Sequence, residues 1–130
     1  MKLIVLDDTY KVCRMDNGST IPEPPNHCEF FSITVAGSEI SLVLPDSIEP
    51  LQGARIEPGW KVIKLDGPFE FTVIGIISRI TGILAASRIP VFVISTFDTD
   101  YVLVKQELLI TALKVLSENG YEVVNTEGVT

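Results

Sequence analysis

The sequence predicts an α+β fold with antiparallel sheets and helices on one face, and three observations predict it. Two segments repeat apolar residues at three- and four-residue steps, the spacing of amphipathic helices: Ile76, Ile77, Ile80, Ile83 and Leu84 in one, Leu108, Leu109, Ala112, Leu113 and Leu116 in the other. Between them lie two apolar runs of strand length, Val91–Ile94 and Tyr101–Val104, joined by a polar turn. Pro90 and Asn119-Gly120 stand where such helices must stop.

The first half is strand-rich. Leu3–Leu6 and Tyr10–Met15 read as a short hairpin across Asp7-Asp8-Thr9, and Asp16–Pro25 is a Gly/Pro/Asn loop. Two further strands, Glu29–Val35 and Glu39–Leu44, meet at Ala36-Gly37-Ser38. Between Pro45 and Pro58 only Ser47–Leu51 suits a short helix. The boundary between halves falls near Arg55–Gly59, which divides the chain into domains 1–58 and 59–130.

The second half opens with a strand over 60–66 and continues with a helix over 72–88. Gly82 inside that helix costs roughly 1 kcal/mol relative to alanine and suggests a close backbone approach. Pro90 cannot continue the helix and biases Ile89 towards extended dihedrals, so a strand follows over 91–95. Its run Val91-Phe92-Val93-Ile94 has no polar break, as expected of a strand buried on both faces or central in its sheet. Ser95-Thr96-Phe97-Asp98-Thr99-Asp100 then turns into a strand over 101–105, a hairpin with two carboxylates near its tip. A helix over 106–118 stops at Asn119-Gly120, and a last strand covers 121–125. Strand, helix, strand, strand, helix, strand is the split βαβ, or ferredoxin-like, order.

Composition excludes several functions. The 130 residues carry a net charge of −7, with ten scattered Lys and Arg, unlike the clustered basic surface that nucleic acid requires. No apolar run approaches the ~20 residues that span a membrane. Met1–Leu6 meets Asp7-Asp8 too soon for a signal peptide, so the expected location is cytoplasmic. Cys13 and Cys28 are then expected to be reduced thiols, and with His27 they lack a fourth ligand at zinc-like spacing. Asn17-Gly18-Ser19 reads as a turn rather than a glycosylation site. His27 is the single histidine, no G-x-S-x-G or phosphate loop is present, and turn aspartates commonly hydrogen-bond their own backbone. The expectation is a non-enzyme without a metal or cofactor.

Binding of a small zwitterion gives the remaining polar residues a role. A helix beginning near Thr72–Gly75 exposes backbone N–H groups with partial positive charge, and Gly75 has no side chain to block a carboxylate. If the Ser95–Asp100 turn stands beside that helix start, an aspartate there can take the ligand's ammonium or cationic side chain.

Gly75-Ile76-Ile77, Ile89-Pro90-Val91-Phe92-Val93-Ile94 and Ser95-Thr96-Phe97-Asp98-Thr99-Asp100-Tyr101 resemble the second ACT domain of the CASTOR-type family of tandem amino-acid-binding proteins. That family writes the turn as Ser-Thr-(Phe or Tyr)-(Asp or Asn)-x-Asp. Phe30–Val35 with Glu39–Pro45 resembles its degenerate N-terminal ACT-like half, so the resemblance covers Phe30–Tyr121. It implies tandem ACT-like, βαββαβ units and a regulatory protein that binds a free amino acid. The ligand would lie between the helix start, Gly75 and Ile76, and the turn residues Thr96, Phe97, Asp98 and Asp100. Gly75 and Asp100 correspond to the family's contact positions, with Thr96 and Phe97 lining the pocket. Ile74 departs from the pattern, because relatives often carry a threonine there. A hydrophobic content of 46% in a chain with open sheet edges implies a homodimer. The other reading is a structural or interaction module that dimerises through ACT sheets and has lost its ligand.

Overall fold

Apolar strands and two amphipathic helices assemble into two units in the computed structural model of the chain, which describes residues 2–49, 53–66 and 75–125. One unit is Asp8–Trp60; the other combines Met1–Asp7 with Lys61–Thr130. No helix among the described residues is long and apolar enough to cross a membrane.

In the unit Asp8–Trp60, strands β2 (Tyr10–Asp16), β3 (Ser32–Ala36), β4 (Glu39–Pro45) and the first part of β5 (Arg55–Leu65) form an antiparallel sheet in the order β3-β4-β2-β5. Strict alternation places Cys13, Met15, Ile40, Leu42 and Leu44 on one face, where they are buried with Ile56 and Ile48 packed against them. Lys11 joins this apolar set, also buried, and its ammonium donates to the Ile48 carbonyl. The expected boundary at Arg55–Gly59 falls in the first part of β5, just before the division between Trp60 and Lys61. β5 runs through it, and the register with β2 slips between Tyr10↔Trp60 and Val12↔Glu57. Pro58 has no N–H to offer, and Gly59 takes φ 80, so the pair forms a β-bulge. Of the expected helix at Ser47–Leu51, Ser47 and Ile48 lie in a turn closed by Ile48 N–H to the Pro45 carbonyl (3.1 Å), while Pro50 and Leu51 lie outside the described residues.

In the other unit, β1 (Lys2–Val5), the second part of β5, α1 (Ile76–Ala86), β6 (Phe92–Ser95), β7 (Asp100–Lys105), α2 (Leu109–Glu118) and β8 (Glu122–Asn125) give the sheet order β8-β1-β5-β7-β6. The expected hairpin of Leu3–Leu6 with Tyr10–Met15 does not form. β1 pairs antiparallel with β5 and parallel with β8, so that it lies between the first and last strands of the βαββαβ order. Asp7-Asp8-Thr9 carries no glycine for a tight hairpin turn, and fully buried Leu3 lies opposite fully buried Leu65 in the ladder. Ile80 and Leu84 of α1 and Ala112 and Leu116 of α2 close over Leu3, Ile63, Leu65, Val102 and Val104 as one core.

The apolar run Val91–Ile94 is expected to be buried on both faces or central in its sheet, and the structure corrects both. Among the described residues β6 is the outermost strand, next to β7, and Val93 is 39% exposed. Four apolar residues in a row specify a strand but not its neighbours. Gly82 is exposed, and a methyl group built on it would meet nothing, so no close approach explains it.

Both helices end in the same Schellman geometry. In α2, Tyr121 N–H reaches the Leu116 carbonyl (3.2 Å) and Gly120 N–H the Ser117 carbonyl (3.1 Å), with Gly120 at φ 93. In α1, Ile89 N–H bonds Leu84 (3.0 Å) and Arg88 N–H bonds Ala85 (2.9 Å), with Arg88 held at φ 60. Ile89 and Tyr121 tuck into the core beside Leu84 and Leu116. A side chain at such a dihedral costs about 1–2 kcal/mol, partly offset by the lower entropy it leaves the unfolded chain. Denaturant titration is therefore expected to show Gly120→Ala about 1 kcal/mol less stable than the parent, and Arg88→Gly no less stable and about 0.5 kcal/mol more.

Both cysteines are free, Cys13 buried and Cys28 half-buried with its thiol donating to the Phe30 carbonyl at 2.9 Å. Burial pushes the Cys13 thiol above its ordinary 9.0, opposed by the charge of Lys11 and reinforced by that of Asp46. As pH rises the unfolded chain gives up this proton first, so the stability from the buried neutral thiol is present below about pH 9 and lost above it. A thiol-disulfide reagent at about pH 8 is expected to modify Cys28 well before Cys13, because only accessible thiolate attacks. Cys28→Ser should abolish the fast phase, and a fast phase surviving in that variant would contradict the burial.

Candidate ligand site

Residues 87–91 reverse the chain between α1 and β6, so the start of the helix and the end of the strand lie at the same end of this unit. Gly75 is the N-cap of α1, exposed, at φ 82 and ψ 4, with no side-chain cap. Its carbonyl accepts Arg79 N–H at 2.9 Å, which starts the helical ladder. The N–H groups of the first turn have no acceptor within the helix, and among the described residues a methyl group on Gly75 would meet nothing within 4 Å. Ile76, the first helical residue, is half-buried against the core. Thr72 and Ile74 lie outside the described residues.

The hairpin turn between β6 and β7 is held from within. Thr96 N–H and hydroxyl both donate to the Thr99 carbonyl, at 2.8 and 3.1 Å. Ser95 and Asp100 face each other as the last pair of the β6–β7 ladder, and the Ser95 hydroxyl donates to the Asp100 carboxylate. Asp98 is exposed, and Phe97 stands 82% exposed at the tip. Asp100, at the first position of β7, is half-buried and is the carboxylate of the pair whose placement the strand fixes.

The residue that ties this turn to the rest of the unit is Thr99. It is 7% exposed, and its hydroxyl donates to the Leu65 carbonyl at the end of β5, 2.8 Å away. Asp66, next in the chain, donates its N–H to the Lys2 carbonyl at 3.0 Å, so the same corner is tied to β1. A threonine between two aspartates at a hairpin tip reads as a solvated turn residue. Its burial depends on a partner 34 residues earlier, which no local pattern reveals. Among the described residues no group of three or more His, Cys, Asp or Glu is arranged to hold a metal ion.

A βαββαβ sheet with two helices on one face, and a helix start at the same end as an acidic hairpin turn, is the ACT-type arrangement. A family model described as ACT domain matches residues 55–118. The chain is 30% identical over 105 residues to the cytosolic arginine sensor for mTORC1 subunit 1 of Homo sapiens, a match that takes in 75% of this chain but spans only 32% of that relative's length. It is 32% identical to protein Atu0741 of Agrobacterium tumefaciens, whose crystal structure superposes with a TM-score of 0.86 over 99% of this chain and 96% of that one. Residues 55–118 are thus an ACT domain, and the match to the arginine sensor makes it one of the CASTOR type. Aspartate kinase of Clostridium acetobutylicum, at 12% identity, a TM-score of 0.67 and coverage of 89% of this chain and 34% of that one, shares the fold alone.

Proposed function

We propose that this protein is a regulatory, non-catalytic amino-acid-binding module whose ligand lies between Gly75–Ile76 and the Thr96–Asp100 turn. Backbone amides of the first turn of α1 receive the ligand's carboxylate, and Asp100 receives its positive group. The observation that carries this reading is the Asp100 carboxylate, fixed at the start of β7 by Ser95 while still half-accessible. Thr96 and the exposed ring of Phe97 would flank the ligand, and Asp98 would add charge at the rim. The arginine sensing named for the human relative makes arginine the first ligand to try, and that relative's cytosolic setting supports the expected cytoplasmic location.

A thermal-shift series over the free amino acids tests the reading, since a ligand at about 100 times its dissociation constant adds roughly 2.7 kcal/mol of stability. Stabilisation by none of them would return the protein to the alternative of an interaction module. That second reading has its own support. Ile33 and Val35, 38% and 59% exposed, lie on β3, the outermost strand of the Asp8–Trp60 sheet among the described residues, and natural proteins protect such edges, pairing being one way. We propose on this ground a homodimer, and that Asp8–Trp60 is the core of a degenerate first ACT-like half, its described residues containing strands and no helix. Sedimentation as a single chain at tens of micromolar would count against the dimer.

A further inference from the structure

We infer that Thr99 is the positioning residue of the proposed ligand turn: through its hydroxyl on the Leu65 carbonyl it sets where Asp100 meets the ligand. The inference rests on the binding reading above and goes beyond it, since Thr99 touches no proposed ligand atom.

Three observations support it. Thr99 is a polar residue with little exposure, in a turn whose neighbours Asp98 and Phe97 are exposed. Its side chain reaches out of the hairpin to β5, while its carbonyl takes both donors of Thr96. The turn is thus closed on itself by Thr96 and fixed to the sheet by Thr99, with Asp100 the next residue in the chain. Leu65, the anchor, is fully buried opposite Leu3, so it offers a fixed acceptor rather than a mobile one. A carboxylate on a turn of this kind is preorganised, and less ordering remains to be done when the ligand arrives.

The experiment compares Thr99→Val and Thr99→Ser by calorimetry with the best amino acid from the thermal screen, each in the parent and in an Asp100→Asn background. Valine keeps the branched shape and loses the hydroxyl; serine keeps the hydroxyl. Loss of one buried hydrogen bond that orients the site is expected to weaken binding about tenfold in Thr99→Val, with Thr99→Ser within about threefold of the parent. If Thr99 acts through Asp100, the valine change costs little further once Asp100 is already asparagine. Undiminished binding by Thr99→Val, or the same loss in both backgrounds, overturns the inference, the second result marking a role in stability alone.

Should no amino acid bind the parent protein, the binding reading falls and the effect on affinity with it. Amide exchange then judges the anchor separately. Faster exchange at Thr96 in Thr99→Val but not in Thr99→Ser upholds it, and equal exchange in all three proteins overturns it.

Discussion

Leu84→Ala is expected to lower the unfolding free energy by about 2–5 kcal/mol, the range for removing a large aliphatic side chain from a core that cannot collapse around the gap. Leu84 is fully buried in the cluster formed by α1, α2 and the sheet, among Ile80, Leu116 and Val102. Its carbonyl also accepts the closing Schellman bond from Ile89. That bond is made by the backbone and survives the substitution, so the loss reports side-chain packing. The control lies on the other helix: Ile110 is 83% exposed, and Ile110→Ala should change stability by no more than about 0.5 kcal/mol. Urea titration of both variants gives the comparison. A small loss at Leu84 would mean that the α1 face does not pack on the sheet as described.

Asp100→Asn is expected to weaken binding of the best amino acid on the order of tenfold to a hundredfold. Losing one charged partner from a charge-assisted hydrogen bond costs about 1.5–3 kcal/mol. The substitution is informative because asparagine keeps an oxygen to accept the Ser95 hydroxyl, so the last pair of the β6–β7 ladder remains bonded while the charge is removed. Stability of the ligand-free protein should therefore stay within about 0.5 kcal/mol. Asp98→Asn should matter less, because Asp98 lies on the exposed outer side of the turn. Calorimetry on the two variants separates the roles, and equal losses at both positions would refute the assignment of the positive group to Asp100.

Local structure in this protein was legible wherever one short segment carries its own reason. The apolar spacing of Ile76–Leu84 and Leu108–Leu116 requires helices, and Pro90 and Gly120 end them, because these are properties of a few consecutive residues. The STFDTDY turn carries the resemblance to the family in one short run, and its two aspartates mark it as a candidate site. Strand neighbours were decided elsewhere. The Leu3 segment crosses to β5 and β8 instead of folding back on Tyr10–Met15, because the buried position opposite Leu65 is supplied by a strand some sixty residues later. Among the described residues β6 is outermost because β7, not β6, takes the place beside β5. Thr99 looks like a turn residue until the Leu65 carbonyl is beside it. The sequence by itself determined the two long helices and the order of elements in the second half, since periodicity and turn chemistry are local, and it carried the resemblance to the family. Only the tertiary structure decided which strands are adjacent and which hydroxyl holds the turn, since both depend on partners distant along the chain.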